Sequence, residues 1–201
     1  LLSSARLSAA GHIVYATMRD INKSTELRDE IAKRGGHIEI RPLDVTQIDT
    51  IKKVVEEINQ THGRLDVVIN NAGYGLGGFF EDLTQQEIRH VMDVNFFGVQ
   101  NVCREVIPVM RKNQSGKIIN ISSIAGLTAA PCFGAYNVSK WAIEAFSESL
   151  FHEMALFGIK VVLIEPGSYP TKIFTDNARY AKDFNNPQSP YYKVSQQLNT
   201  W

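Results

Sequence analysis

Tyr136 and Lys140 are the pair whose types and spacing first suggest chemistry. At positions i and i+4 near the start of a predicted helix, their side chains share one face and lie one turn apart. An ammonium about 5 Å from a phenol, at an effective dielectric constant of about 20, favours the phenolate by roughly 3 kcal/mol. This corresponds to about two units below the ordinary tyrosine pKa of ~10, so the spacing predicts a tyrosine suited to general acid–base catalysis. Taken alone, the pair is equally typical of a surface contact on a helix.

Two further polar residues add to this interpretation. Ser123 directly follows a predicted strand and stands 13 residues before Tyr136, at the carboxyl edge where open α/β sheets bind ligands. Asn95 stands 28 residues before Ser123, inside a predicted helix and among apolar neighbours. Asn95 alone could be a buried cap or kink, and Ser123 alone a turn hydroxyl. Together with Tyr136 and Lys140 they predict one catalytic set.

The elements that must position these residues alternate between strands and helices. Apolar runs predict strands over 12–18, 37–43, 64–70, 117–122 and 159–165, and helical spacing predicts helices over 1–10, 27–34, 48–61, 83–112 and 136–157. The alternation predicts an α/β protein with a mostly parallel sheet covered on both faces. We interpret 1–201 as one domain, with 168–201 an irregular substrate loop or lid. Because a helix comes first, we expect a strand and a turn to precede Leu1.

Composition excludes several classes of function. The chain has 201 residues, 44% of them apolar, with 21 basic and 21 acidic side chains, so no net charge favours nucleic acid or an anionic membrane. No apolar run approaches the ~20 residues of a membrane-spanning helix, and the histidines lack metal-ligand spacing, so no metal is expected. Cys103 and Cys132 lie in apolar stretches, which predicts buried thiols and a reducing, cytoplasmic location.

The segment from Gly73 to Gly78 matches the dinucleotide-binding pattern GxGxxG, and Asp93 follows 20 residues after Gly73. The predicted helix, however, does not open on these glycines, as that fingerprint requires. A flexible loop crossing the carboxyl edge of the sheet is the better interpretation.

The chain resembles the short-chain dehydrogenase/reductase family, most closely its 17-beta-hydroxysteroid and retinol dehydrogenase branch. The resemblance covers about residues 1 to 175 and rests on Asn70-Asn-Ala-Gly73, Asp93-Val-Asn95, Ile121-Ser-Ser-Ile-Ala-Gly126, Tyr136-xxx-Lys140, and Pro166-Gly167 followed by Thr171, with Val14 to Asp20 and Ile164 to Gly167 pointing to the branch. It implies a Rossmann-like, doubly wound parallel sheet in three layers and a dinucleotide-binding oxidoreductase.

The resemblance also implies roles for individual residues. Tyr136 would exchange a proton with the substrate oxygen during hydride transfer. Lys140 would lower the pKa of Tyr136 and hold the nicotinamide ribose hydroxyls. Ser123 would hydrogen-bond the carbonyl oxygen, and Asn95 would hold a water that links Lys140 to solvent. The remaining implied cofactor contacts are Pro166, Gly167 and Thr171 at the nicotinamide, Asp44 and Val45 at the adenine, and Asn71, Ala72 and Gly73 at the adenosine ribose.

The residue after the first predicted strand bears on the choice of cofactor. NAD-dependent relatives carry an acidic residue there, whereas this chain has Met18 followed by Arg19. Because a guanidinium can pair bidentately with a 2′-phosphate, we expect a preference for NADP(H), with NAD possible. A surface pairing of Arg19 with Asp20 is the alternative. The family's pyrophosphate-binding turn TGxxxGxG and its last helix and strand are not found in the sequence, and we expect residues beyond both termini to supply them.

The expected reaction interconverts an apolar secondary alcohol and a ketone, or a primary alcohol and an aldehyde. Loop aromatics predicted to line an apolar pocket are Phe79, Phe80, Phe133, Tyr169 and Phe174. The alternative is a non-catalytic, dinucleotide-sensing regulatory protein of the same fold. Apolar residues on more than one helix face predict a homodimer or homotetramer; they are Ile143, Phe146, Leu150, Phe151, Met154, Leu156 and Phe157.

Overall fold

Strands and helices alternate as the sequence predicts in the computed structural model, which describes residues 1–169, 173 and 177–198. The strands are β1 (Val14–Met18), β2 (Ile38–Pro42), β3 (Val67–Asn70), β4 (Gly75–Gly77), β5 (Gly116–Ile121), β6 (Ile159–Ile164) and β7 (Ala178–Tyr180). The helices are α1 (Leu2–Ala9), α2 (Thr25–Arg34), α3 (Ile48–His62), α4 (Gln85–Met92), α5 (Gly98–Lys112), α6 (Gly134–Ala155) and α7 (Tyr192–Leu198). Short 3-10 turns cover Ile21–Lys23, Phe80–Asp82 and Ile124–Gly126.

Local sequence signals fix several helix ends. The Thr84 hydroxyl accepts a hydrogen bond from the Glu87 backbone N–H, and the Glu87 carboxylate reaches back to the Thr84 N–H, which confirms the predicted capping box of α4. Helix α3 ends at Gly63, whose φ of 68° lies in the left-handed region that residues with a Cβ avoid.

Every strand pairing in the described residues is parallel. Strand β5 lies between β3 and β6, β1 pairs with β2, and β4 pairs with β7. Within the described residues, the predicted single sheet therefore appears as three hydrogen-bonded groups, one of three strands and two of two strands, and each lies beside its own core. Ile118 of β5 packs among Ile51, Met110 and Ile143 from three helices, while the core beside β1 and β2 is formed by Ala5, Ala16, Leu27 and Ile31.

A buried polar chain crosses the three-stranded group. The Asn70 Nδ2 donates to the Asn120 Oδ1 at 2.8 Å, and the Asn120 Nδ2 donates to the Ser147 Oγ at 2.7 Å. These bonds join the ends of β3 and β5 to α6, because each buried polar group needs a partner. They fix the position of α6 relative to the carboxyl edge of the sheet.

Three predictions need correction. The helix predicted over 83–112 is interrupted by a π-helical turn at Asp93–Phe97, because Asn95 satisfies backbone groups outside the helix. The segment predicted to be irregular over 168–201 contains β7 and α7, because β7 finds a parallel partner in β4. Cys103 is buried, but Cys132 is only half-buried on a loop. In the described part of the chain, no helix combines the length and apolar character needed to cross a membrane.

Replacing Asn120 by alanine tests the polar chain. The Asn70 amide and the Ser147 hydroxyl would lose their partners, so we expect the free energy of unfolding to fall by about 2 kcal/mol. Urea denaturation of the full-length protein measures the change. Lys117→Ala, an exposed change on the same strand, is the control and should stay within about 0.5 kcal/mol of the wild type. An equally small effect of both variants would contradict the assigned role of the chain of bonds.

Candidate functional site

The candidate site lies at the carboxyl edge of the parallel strands. The loops after β5 and β6 are tied together there, since the Ser122 N–H donates to the Ile164 carbonyl at 2.8 Å and the Ile124 N–H donates to the Pro166 carbonyl at 3.1 Å. This pairing brings Pro166 and Gly167 beside the turn that begins at Ser123. The other predicted contacts follow the carboxyl ends of further strands, with Arg19 after β1, Asp44 and Val45 after β2, and Asn71, Ala72 and Gly73 after β3.

Asn95 is buried in the π-helical turn and clamps the loop after β3. Its Oδ1 accepts the Tyr74 N–H at 3.1 Å, and its Nδ2 donates to the Tyr74 carbonyl at 3.0 Å and to the Ser139 Oγ at 3.1 Å. A Cβ on Gly73 would lie 3.1 Å from this Oδ1, a tight contact that the glycine avoids. The Ser139 hydroxyl in turn donates to the Tyr136 carbonyl at 2.7 Å, which links Asn95 to the helix that carries Tyr136.

Ser123, Tyr136 and Lys140 meet at the start of α6. A side-chain hydrogen bond joins Ser123 to the Tyr136 phenol, and the Ser123 Oγ also accepts the Ala125 N–H at 3.1 Å. The Lys140 Nζ lies 5.8 Å from the centre of the Tyr136 ring and donates to the Ile121 carbonyl at 2.8 Å. The structure therefore brings the four predicted catalytic residues together through two linked hydrogen-bonded groups, one around Asn95 and one around Ser123.

The protonation of the pair differs from the sequence-based expectation. Burial raises the pKa of Tyr136, with the Ser123 hydrogen bond acting in the opposite direction. The prediction that the lysine brings this pKa well below its ordinary value is thus wrong for the structure. Only 6% of Lys140 is exposed, and burial lowers its own pKa to about 8. Near neutral pH the tyrosine is protonated and the lysine is mostly charged, so the phenol is arranged as a proton donor.

The side chains after β1 and β2 form the other end of the site. The Asp44 Oδ1 accepts the Thr46 N–H at 2.9 Å and the Thr46 hydroxyl at 2.7 Å. Burial raises the pKa of Asp44, but these bonds and the nearby Arg19 charge lower it more, so the net pKa is below its ordinary value. Asp20 accepts the Asn22 N–H, and within the described residues no ion pair joins it to Arg19. The Arg19 guanidinium is therefore not paired with Asp20 in the described structure.

Val45 is held by α5. The Asn101 Nδ2 donates to the Val45 carbonyl at 3.0 Å. A Cβ on Gly98 would lie 2.6 Å from the Val45 Cγ2, so this glycine lets the helix approach the loop. The segment from Asp44 to Val45 is thereby fixed from two sides.

The predicted aromatic pocket is only partly formed in the described residues. Phe79 stacks on Tyr191 with ring centres 4.3 Å apart, and Phe133 is half-buried beside Gly77. Phe80 and Tyr169 are 79% and 65% exposed. Thr171 and Phe174 lie outside the described residues.

Sequence reasoning missed the contacts that hold the segment after residue 176 against the site. The Ala181 N–H donates to the Gly77 carbonyl at 2.7 Å, next to the pairing of β4 with β7. The Arg179 guanidinium lies 4.7 Å from the centre of the Tyr74 ring. No local signal could have revealed these partners, because they lie about a hundred residues apart. Sequence reasoning also missed the role of Ser139, although this residue lies between Tyr136 and Lys140.

The structure also tests the interpretation of the GxGxxG match from Gly73 to Gly78. Residues 75–77 form β4, and α4 begins only at Gln85 after a 3-10 turn. The interpretation that these glycines do not open a helix is confirmed.

Comparisons with known proteins agree with this arrangement. Residues 3–181 match the family model described as short chain dehydrogenase. The chain is 44% identical over 176 residues to the 3-ketodihydrosphingosine reductase of Bacteroides thetaiotaomicron, covering 88% of this chain and 61% of that protein. It is 36% identical over 161 residues to human retinol dehydrogenase 8, covering 79% of this chain and 50% of that protein. The chain thus spans about half to three fifths of the length of these curated relatives.

A solved structure supports the fold. A metagenomic short-chain oxidoreductase, crystallised in complex with NADP, is 32% identical and superposes with a TM-score of 0.76 over 83% of this chain and 76% of the other. The expected Rossmann-type α/β architecture is confirmed.

Proposed function

The chain belongs to the short-chain dehydrogenase family, and on that premise we propose that it is an NADP-dependent oxidoreductase for an apolar alcohol and its carbonyl partner. The substrate pair would be a secondary alcohol and a ketone, or a primary alcohol and an aldehyde. The observation that carries the proposal is the convergence of Ser123, Tyr136 and Lys140, with Asn95 clamped beside them, at one strand edge.

The chemistry follows from the protonation states in the site. A bound nicotinamide cofactor would supply or accept the hydride. The Ser123 hydroxyl would donate a hydrogen bond to the carbonyl oxygen and hold it near Tyr136. The pKa of Tyr136 is raised by burial, so the phenol is protonated at neutral pH and can give its proton to that oxygen. The Lys140 ammonium would then stabilise the resulting phenolate, so the described geometry favours carbonyl reduction near neutral pH.

Asn95 has a positioning role in this scheme. Both of its amide hydrogens are used, on Tyr74 and on Ser139. A water linking Lys140 to solvent could bind its side chain only at the Oδ1, which has one acceptor position left. We therefore assign Asn95 first to holding the loop after β3 and second to the proton path.

The residues present fit an adenine dinucleotide in part. Gly73 leaves space that a Cβ would fill beside Asn95. Asp44 accepts its two hydrogen bonds from Thr46 with Oδ1 alone, and Arg19 is exposed and, among the described residues, not paired with Asp20. Asp44 and Val45 would contact the adenine, Asn71, Ala72 and Gly73 the adenosine ribose, and Pro166 and Gly167 the nicotinamide. The same role for Thr171 stays a prediction.

The proposed substrate class is lipid-like. The names of the two relatives refer to 3-ketodihydrosphingosine and to retinol. The half-buried aromatic side chains Phe79 and Phe133 would offer apolar surface beside the site. Suitable probes are therefore 3-ketodihydrosphingosine and retinal.

Replacing Tyr136 by phenylalanine tests the proposed catalysis. Without the phenolic proton, we expect NADPH-dependent reduction of the probe to fall by about 100- to 10,000-fold, while NADPH binding stays within about threefold. Steady-state kinetics and fluorescence titration of the full-length protein measure the two quantities. Tyr15→Phe, on β1 with its hydroxyl on His62, is the matched control and should retain activity. Equal activity of Tyr136→Phe and the wild type would contradict the proposed catalysis and favour the alternative of a dinucleotide-sensing regulatory protein.

Replacing Arg19 by alanine tests the preference for NADP(H). Loss of a charge-assisted pair with the 2′-phosphate should weaken NADPH binding by about 10- to 100-fold and leave NADH binding nearly unchanged. Titration with both cofactors gives the affinity ratio. Arg89→Ala, an exposed arginine on α4, should leave the ratio unchanged. An unchanged ratio in Arg19→Ala would refute the assignment.

A homodimer or homotetramer is also proposed, through the outer face of α6. Of the apolar residues predicted for this contact, Ile143, Leu150 and Met154 are instead buried within the chain, because they complete the core around β5. Phe151 remains exposed, and Val138 and Trp141 join it on the helix surface. An apolar surface of this kind is typical of a subunit contact. The two cysteines are unpaired in the structure, in keeping with the proposed cytoplasmic location.

Light scattering tests the oligomer. At about 10 μM the full-length protein should have at least twice its monomer mass, and Trp141→Glu should shift it towards the monomer, because a buried unpaired charge is costly. A wild type that stays monomeric at this concentration would refute the proposal.

A further inference from the structure

Helix α6 carries a third ionisable side chain on the face of Tyr136 and Lys140. Glu144 lies four residues after Lys140, which places the two side chains one turn apart. Its Oε1 is buried and has no hydrogen-bond partner within the described residues. A carboxylate oxygen in such a place is costly unless a positive charge offsets it. The nearest cation along this face of the helix is Lys140.

The Glu144 side chain packs beneath the turn that begins at Ser123. A Cβ on Gly126 would lie 2.9 Å from the Glu144 Cγ and 3.1 Å from its Oε1. The same position would lie 3.0 Å from the Ser122 Oγ, which is also buried and without a partner among the described residues. Glycine at position 126 therefore leaves the space that Glu144 occupies. One oxygen of the carboxylate is thereby buried between the helix and the turn that begins at Ser123.

Among the described residues, the surroundings of Lys140 supply no other countercharge. Its Nζ donates to the Ile121 carbonyl, and the adjoining residues Ser122 and Ser123 are uncharged. On α4 and the π-helical turn, the charges of Glu87 and Asp93 influence the pKa of Tyr74. The charge of His90 influences the pKa of Asp44. Lys160 lies near the start of β6, at the opposite end of that strand from the site. Of the described charged groups, Glu144 is the one whose attraction bears on Lys140, and it raises the lysine pKa against the effect of burial.

We propose that Glu144 is a positioning residue that acts through its charge to keep Lys140 charged beneath Tyr136, and that it thereby sets the alkaline limit of the reaction. The kinetic part of this inference rests on the proposed function. The electrostatic part does not, because it concerns two residues of one helix. A purely structural role for Glu144, supporting the turn at Gly126, would leave the titration of Lys140 unchanged.

The test compares Glu144→Gln, Glu144→Asp and the wild type in the full-length protein. The first readout is the pKa of Lys140 in the protein without cofactor, measured from the pH dependence of the ¹³C chemical shift of the Lys140 Cε. The Lys140→Arg variant, which lacks this signal, identifies it in the spectrum. Removal of the carboxylate charge should lower this pKa by about one unit, and aspartate should restore most of the difference. Glu148→Gln, which removes an exposed charge one turn further along α6, is the matched control and should leave the pKa unchanged.

The second readout is the pH profile of kcat/KM for reduction of 3-ketodihydrosphingosine or retinal with NADPH. In Glu144→Gln the alkaline limb should move to lower pH by about one unit. The variant should then lose up to about tenfold relative to the wild type near pH 9 and stay within about twofold near pH 6.5, where Lys140 is charged in both proteins.

The outcomes separate the inference from the proposed function. An unchanged Lys140 pKa in a folded Glu144→Gln protein overturns the inference, whatever the activity. So does a loss of activity that is equal at every pH and is not rescued by aspartate. An inactive wild type overturns the proposed function alone, and the shift of the Lys140 pKa would still support the electrostatic role of Glu144. Thermal unfolding monitored by circular dichroism verifies that each variant is folded.

Discussion

The desolvation of one cation organises the site. The Lys140 ammonium is almost completely buried, and it donates a hydrogen bond to the Ile121 carbonyl at the end of β5. A buried cation of this kind is tolerated only where acceptors and negative charge surround it. The strand-end carbonyl and the phenol ring lie beside the ammonium, and the proposed role of the carboxylate one turn further along the helix is to supply the negative charge. A displacement of β5 relative to α6 would therefore deprive the Lys140 ammonium of its hydrogen-bond acceptor.

The buried amides keep those two elements in register. Asn120 joins β5 to α6 through Ser147, and Asn95 joins the loop after β3 to the same helix through Ser139. Both asparagines use donor and acceptor at once, so each fixes a distance and an orientation. The π-helical turn at Asp93–Phe97 has a clear purpose in this setting. It widens the helix by one residue, as π-turns at functional sites do, and turns Asn95 towards the backbone of Tyr74.

The sequence was informative wherever a local rule decides the structure. Alternation of strands and helices predicted the architecture, and the Thr84–Glu87 box was found where it was expected. The spacing of Ser123, Tyr136 and Lys140 predicted their meeting, because parallel strands bring their carboxyl ends to one edge. The sequence failed where distant partners decide. The π-helical turn depends on Tyr74, the ordered strand β7 depends on β4, and the pKa of Tyr136 depends on how deeply α6 is buried. None of these is visible in a window of neighbouring residues.

The parallel pairing of β4 with β7 has a consequence for how the protein comes into being. The two strands are separated by about a hundred residues, and a chain synthesised from its amino end contains β4 long before β7 has been made. The loop that Asn95 holds can therefore pair with β7 only after the intervening residues have been translated. Bringing together two strands so far apart in the chain carries its entropic cost at that stage. The nascent protein would thus contain the residues proposed for proton transfer before it contains the strand that packs beside the Asn95-held loop.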